Sequence, residues 1–358
     1  MIFDYITLKI IWYVLMLTLL AGVLITCGMD FGVLASLKIV AKTDDERRHV
    51  INSIGPTWDG NQVWLITLIG ACFAAWPIVY ATVFSCFYYL MFLLLFSLII
   101  RPPGIDYRSK IECAYWRSMW DHVLSVSGVL PPLLLGIFFA KIFTGGNFTF
   151  TELSLPFATE VKGDYLLLYF GFMVLTLSAF MMQGLLFLCI KTHDSVVERA
   201  NMLAKKILFL YLLTFIVLFI YINFYMQGYL YNNSQGFHLG QWSQNFTSNK
   251  NLFSIPLLAI SFIIIAANRL WQNRYLGAIY AFSLSMISVM LTFAAISFPF
   301  ILPSEYIVNS SLTIWNATSS HKALMTLFYV VIILLPIVLT YTVWSYLVVK
   351  GKTKELLY

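Results

Sequence analysis

Charge is what this chain lacks. Asp, Glu, Lys and Arg make up only 11% of its 358 residues, against 60% hydrophobic, and the mean hydropathy is +0.83. A water-soluble domain of this length needs far more charge to cover its surface. Cysteine is also sparse: Cys27, Cys72, Cys86, Cys113 and Cys189 form no Cys-x-x-Cys pair, and four of the five lie in apolar runs. Small apolar filler is their plain reading. The five histidines, His49, His122, His193, His238 and His321, fall in predicted loops or at predicted helix ends, with no pair at helical ligand spacing. Iron in a helical bundle needs His, Met or Cys ligands aimed inward. The 13 Met are scattered through apolar runs, where flexible filling is the plainer role. The chain is therefore not expected to bind a metal or hold a low-spin haem by itself, and a site shared with another subunit stays open. No basic stripe interleaved with aromatics appears in a soluble stretch, which excludes a nucleic-acid partner.

What the chain has is apolar runs, each long enough to cross roughly 30 Å of hydrocarbon with about 20 residues. The runs are too long for barrel strands. They predict an all-α membrane protein, a single polytopic domain over 1–358, with spans near 8–40, 58–75, 78–100, 120–143, 165–190, 204–228, 253–271, 275–299 and 323–349. The first run continues past Gly28 without a small-residue cleavage motif, so it reads as a span and not as a removed signal. Trp76-Pro77 is the strong breaker in 60–100 and predicts a tight turn between two crossings.

Threading these nine spans through a bilayer puts seventeen of the 22 Lys and Arg on one face. They are Lys38, Lys42, Arg47, Arg48, Arg101, Arg108, Lys110, Arg117, Lys191, Arg199, Lys205, Lys206, Arg269, Arg274, Lys350, Lys352 and Lys354. Lys9, Lys141, Lys162, Lys250 and Lys322 fall on the other. The positive-inside rule then places the N-terminus outside and the C-terminus in the cytoplasm. Thr43-Asp44-Asp45-Glu46 reads as a capping box opening a short inner helix. The outer loops, near 144–164, 229–252 and 300–322, are longer and polar.

Carboxylates inside a membrane are costly and usually functional. Asp30 lies in the first span, Asp59 opens the second and Asp121 opens the fourth. With Asn61 and Gln62, Asp59 offers the ionisable and amide groups that a proton needs on its way from the cytoplasm. Each acid also has a structural reading. Asp59 can cap a helix N-terminus, Asp30 can pair with Arg or Lys on another helix, and Asp121 can answer Arg117 at a helix start. Trp64, one turn inside the second span, can line a path or simply pack.

The stretches Asp44-Asp45-Glu46-Arg47-Arg48, Ile51 through Thr67 with its core Trp58-Asp59-Gly60-Asn61-Gln62-Val63-Trp64, Phe73-Ala74-Ala75-Trp76-Pro77, Arg101-Pro102-Pro103-Gly104-Ile105-Asp106-Tyr107-Arg108 and Ser311 through Ser320 carry a specific likeness. The chain resembles subunit II of the cytochrome bd quinol oxidases, bacterial terminal oxidases that oxidise quinol and reduce oxygen to water. The resemblance implies two four-helix bundles plus one peripheral helix. It implies a larger subunit I carrying haem b and haem d, with quinol as the substrate of the complex. Small accessory subunits, membrane lipid and, in some relatives, a structural quinone complete the expected company, in the bacterial cytoplasmic (inner) membrane. Protons are expected from the cytoplasm without pumping. The position matching Asp59 lies on the proton route of relatives, and that matching Trp64 beside an oxygen route. Many relatives read Thr-Asp-Gly where this chain has Thr26-Cys27-Gly28, and some carry Asp where it has Asn316, so two charges are missing. The alternative is a secondary transporter or proton channel using Asp30 and Asp59, which predicts helices broken near mid-membrane, with Thr26 to Gly32 as its only hint. A structural subunit of another respiratory complex is a third reading.

Overall fold

The computed structural model describes residues 3–151, 165–232 and 236–352. Lys162, Lys354 and most of the predicted outer loop 144–164 lie outside the described residues. The chain runs through α1 (Tyr5–Val40), α2 (Asp44–Ile54), α3 (Trp58–Ala75), α4 (Pro77–Cys86), α5 (Tyr88–Ile99), α6 (Arg101–Tyr107), α7 (Ala114–Thr144), α8 (Leu166–Lys191) and α9 (Asp194–Phe224). It continues through β1 (Gln227–Asn232), β2 (Gly236–Gln241), α10 (Gln244–Ser248), α11 (Ser254–Trp271), α12 (Tyr275–Ser297), β3 (Phe300–Leu302), β4 (Leu312–Thr313) and α13 (His321–Val348).

Eight helical units among the described residues are long and apolar enough to cross a membrane, and α3 with α4 makes a ninth if that bent pair counts as one broken span. Local sequence explains many of the helix ends. Asp4 caps α1, Ser320 caps α13, and Thr43 and Glu46 form the reciprocal capping box that starts α2. At 36 residues α1 is about 54 Å long, so it projects beyond the hydrocarbon. It is unbroken through Thr26–Gly32.

Two predicted boundaries shift. The run 78–100 is not one helix. The chain bends by 118° at Trp76, α4 then leads from the end of α3 to the end of α7, where the Cys86 thiol donates to the Asn147 carbonyl, and the crossing unit is Tyr88–Tyr107. Phe87 makes the second break with φ −111° and ψ 30°, its ring packed edge-on against Phe138. No proline or glycine marks it. The other shift is α9, which begins ten residues before the predicted 204. Its polar first turns are held on α2, where Glu46 accepts from Ser195 (2.6 Å) and Arg199 (2.5 Å).

Helix α8 is the central element, buried along most of its length and packed on α1, α7, α9 and α12. It meets α1 backbone to backbone at the Gly32–Gly184 crossing. A Cβ on Gly32 would lie 1.8 Å from the Phe180 carbonyl oxygen, and one on Gly184 would lie 2.2 Å from the Gly32 carbonyl carbon. In lipid, where the hydrophobic effect no longer drives helices together, such backbone approach maximises dispersion contact. By contrast α13 buries Leu324 alone among its residues and touches only α1 and α3 at length. Two small antiparallel ladders, β1 with β2 and β3 with β4, close one end of the helices. They were not anticipated, because each is short and lies between spans.

Candidate functional site

The site is built where α1, α3, α6 and α13 meet. Asp30, 1% exposed, sits on α1 one turn beyond Cys27, which is equally buried. The first turn of α3 brings Asn61 against both. The Asn61 side-chain amide donates to the two Asp30 oxygens at 3.2 and 3.1 Å, and the Cys27 thiol donates to the Asn61 main-chain carbonyl at 3.0 Å. From α13, the Tyr346 hydroxyl donates to Asn61 Oδ1 at 2.8 Å. The amide is thus committed on both sides, oxygen toward the phenol and nitrogen toward the carboxylate.

Arg101 completes the cluster. Counted above only among the positive charges of one face, it has no exposed surface at all. Its Nη2 donates to Gln62 Oε1 at 2.9 Å, and its guanidinium faces the rings of Phe31 (4.7 Å) and Trp58 (5.7 Å). The remaining Nε and Nη1 have no hydrogen-bond partner among the described residues. A buried cation is tolerable only with compensating charge, and the acids that act on it are Asp30 first, then Asp59. The pairing of Asp30 with a basic residue on another helix, weighed above as its structural reading, is therefore electrostatic, without a hydrogen bond between the two among the described residues. The missed signal in the sequence was Pro102-Pro103. Proline is accepted in the first turn of a helix, and α6 starts at Arg101.

Asp59 stands apart. It is exposed in the first turn of α3, and among the described residues its carboxylate makes no hydrogen bond. It shares an outward face with Val63, Ile66 and Phe73, all exposed. Trp64 is 5% exposed and lies flat on Gly22, where an added Cβ would come within 2.2 Å of the indole. An apolar cavity of about 300 Å³ opens beside it, lined from α3 by Leu65, Leu68, Ile69 and Cys72, and by Tyr13, Trp76 and Phe138 among others. Trp64 is not part of that lining.

Asp121 belongs to a separate ion network at the α2 end of the molecule. It accepts from Arg108 (2.6 and 3.1 Å) and Arg47 (3.2 Å), while Asp44 takes Arg108 (2.7 Å) and Arg117 (2.8 Å). Arg117, the expected partner of Asp121, is thus one link removed. Nearby, burial works to raise the Glu46 carboxyl, but the donors Ser195 and Arg199 and two main-chain N–H groups outweigh it and hold the group down at about 2.

The comparisons now decide the family. The family described as cytochrome bd terminal oxidase subunit II matches residues 8–349. This chain is a member of that family. It is 36% identical to the cytochrome bd-I ubiquinol oxidase subunit 2 of Escherichia coli K12 over 370 residues, covering 98% of this chain and 97% of the relative. It is 29% identical to the cytochrome bd ubiquinol oxidase subunit 2 of Bacillus subtilis over 363 residues, 96% of each. The fold matches a chain of the bd oxidase from Geobacillus thermodenitrificans with a TM-score of 0.70 at 16% identity, covering 96% of this chain and 99% of that one.

Membership of a bd oxidase subunit family implies haem in the complex, and the imidazoles here can be tested for it. His122 faces Lys38 and the Ser118 carbonyl, and His321 faces the Phe3 carbonyl. His238 lies in β2 beside the Gly236 carbonyl. The His122 contact joins α7 to α1, His49 Nδ1 is buried on α2 without a hydrogen-bond partner, and no cluster of three His, Cys, Asp or Glu fit for a metal occurs among the described residues.

Proposed function

We propose that this chain is the haem-free subunit of a bd-type oxidase that takes electrons from quinol and reduces oxygen to water. The family membership supports a terminal oxidase subunit with a subunit I partner. On this reading the chain crosses the membrane nine times as two four-helix bundles, with α13 as the peripheral helix, the N-terminus outside and the C-terminus in the cytoplasm. The contacts are consistent with that threading. Lys9 donates to the Trp315 carbonyl at one end of the molecule, and Lys191 to the Val349 carbonyl at the other. The larger subunit carries haem b and haem d, and this one braces it.

The observation that carries a role beyond bracing is the Asp30–Asn61 contact. A carboxylate 1% exposed within a membrane helix is retained at several kcal/mol of cost, and here it meets the Asn61 amide from α3 and the charge of Arg101 from α6, beside the Cys27 thiol of its own helix. We assign Asp30, Asn61 and Gln62 to proton uptake from the cytoplasm, with Asp59 as the outward-facing acid toward the partner subunit. An exposed carboxylate on an apolar face is poorly placed against lipid and well placed against another protein. Oxygen access is assigned to the apolar cavity lined from α3 by Leu65, Leu68 and Ile69, with the neighbouring Trp64 indole packed on Gly22.

The test is a purified two-subunit complex carrying Asp30→Asn. Oxygen-consumption turnover should fall about tenfold or more with the haem spectrum retained, the scale of a lost proton-transfer group. Normal turnover in a fully assembled variant removes Asp30 from the proton route. Recovery of the tagged chain alone, without haem, as an active proton carrier favours the transporter reading instead. The unbroken α1 weighs against that alternative.

A further inference from the structure

We propose that Tyr346, on the C-terminal helix, is a positioning residue for the Asp30 carboxyl, acting through the side-chain amide of Asn61. The inference rests on the reading of Asp30 as a proton-holding group. It starts from the geometry of one amide. Asn61 has its oxygen on the Tyr346 hydroxyl at 2.8 Å and its nitrogen on both Asp30 oxygens at 3.1 and 3.2 Å. All of this lies in a pocket where Asn61 is 3% and Asp30 1% exposed. An ionised carboxylate only accepts hydrogen bonds, and a carboxylic acid must donate one. The amide that suits Asp30 as an anion is therefore the wrong way round for Asp30 as an acid. When Asp30 takes a proton, its O–H needs an acceptor, and turning the Asn61 amide by half a rotation supplies Oδ1.

That rotation sends the Asn61 N–H groups toward α13. They need an acceptor there, since a buried unmade hydrogen bond costs on the order of 1–3 kcal/mol. A phenol hydroxyl is donor and acceptor at once. Tyr346 can donate to Oδ1 in the first arrangement and accept from Nδ2 in the second, without moving its ring. A phenyl ring could do neither, and Lys or Arg only the first. No covalent bond changes beyond the carboxyl O–H, and the proton stays on Asp30 in the second arrangement.

The placement is also unusual for α13. The helix presents mostly exposed apolar side chains and buries Leu324 alone, yet this one hydroxyl reaches the most buried polar cluster described above. The ionisable groups facing Asp30 are Cys27 on its own helix, Arg101 on α6 and Tyr346 itself on α13, with Asp59 farther out on α3 acting on Arg101. Cys27, Arg101 and Asp59 are untouched by the variant that follows.

The experiment uses the purified two-subunit oxidase with Tyr346→Phe, assayed for oxygen consumption from about pH 6 to about pH 9, beside Asp30→Asn and Lys191→Met. Lys191→Met removes a different tie at the same end of α13, at the Val349 carbonyl, without touching Asn61. With the amide no longer supported in both orientations, proton uptake becomes limiting where protons are scarce. Tyr346→Phe should keep its haem content and lose about threefold to tenfold in turnover at the alkaline end, with a smaller loss at the acid end, as for a weakened proton-transfer step. Lys191→Met should leave the profile unchanged. A wild-type profile for Tyr346→Phe, or the same alkaline loss in Lys191→Met, overturns the proposal. If Asp30→Asn turns over normally, the proton-site reading fails first and this inference fails with it. If only Asp30→Asn is impaired, that reading stands and Tyr346 is refuted. Should Tyr346→Phe not assemble, Asn61→Leu answers in its place: it must show the same alkaline loss, and a normal profile sinks the assignment.

Discussion

The guanidinium of Arg101 donates to Gln62 at 2.9 Å from a position with no exposed surface. Two of its nitrogens have no hydrogen-bond partner among the described residues, so its compensation is the charge of nearby acids, Asp30 above all. Arg101→Leu should leave Asp30 as an uncompensated buried charge and destabilise the chain by about 3–5 kcal/mol. The double variant Arg101→Leu with Asp30→Asn should recover more than half of that loss. A double-mutant cycle on the melting of the purified complex measures the coupling, and additive losses would mean that the two residues are independent.

Trp64 and Gly22 form a second matched pair. Gly22→Ala pushes a methyl into the indole, which the 2.2 Å approach does not accommodate, and overpacking of this kind costs about 1–3 kcal/mol. Trp64→Ala should cost about 3–5 kcal/mol as a buried cavity. Both should lower complex yield, and quinol affinity should be unchanged in whatever assembles. Trp64→Leu combined with Gly22→Ala should be better tolerated than Gly22→Ala alone, as read by fluorescence-detected size exclusion.

The clasp of Glu46 with Ser195 and Arg199 gives a pH dependence of defined sign. Its folded value, about 2, lies below the ordinary 4.5, so the folded state binds the proton less readily than the unfolded chain. The stabilisation is complete above about pH 4.5 and is lost as pH falls from there toward 2. Wild-type melting temperature should drop across that window more steeply than that of Glu46→Gln, which is destabilised at neutral pH. Parallel curves for the two would show that the clasp does not contribute.

Cys113 reports the orientation of the chain. It is the one exposed cysteine of the five. Main-chain N–H groups of Trp116 and Tyr115 hold its thiol below the ordinary value, which favours the reactive thiolate. A membrane-impermeant maleimide should label it in inside-out vesicles and not in intact cells. Labelling from the outside would reverse the assigned topology.

Much of this architecture is visible in the residues. Thr43 and Glu46 announce the start of α2 because both halves of a capping box are local. Trp76-Pro77 announces the 118° bend because proline cannot continue a helix. Arg101 was hidden because membrane proteins place most arginines at the lipid boundary, and only the three-dimensional approach of Phe31, Trp58 and Gln62 removes it from water. Phe87 was hidden because neither proline nor glycine marks the break there. Asp30 and Asn61 were each singled out, but their contact joins positions 31 apart in the sequence and follows only from how α3 lies on α1. Tyr346 gave no signal at all, since α13 is mostly apolar and a tyrosine near its end, like Tyr341 before it, reads as an interfacial anchor.

Helix α8 is as oily as its neighbours yet is screened along most of its length by them. Its greasiness therefore serves tight packing against protein, and has little to do with solvation by acyl chains. Substitutions along it should be judged by volume, as in the interior of a water-soluble enzyme. A scan ranked by hydrophobicity would pass over its most sensitive positions.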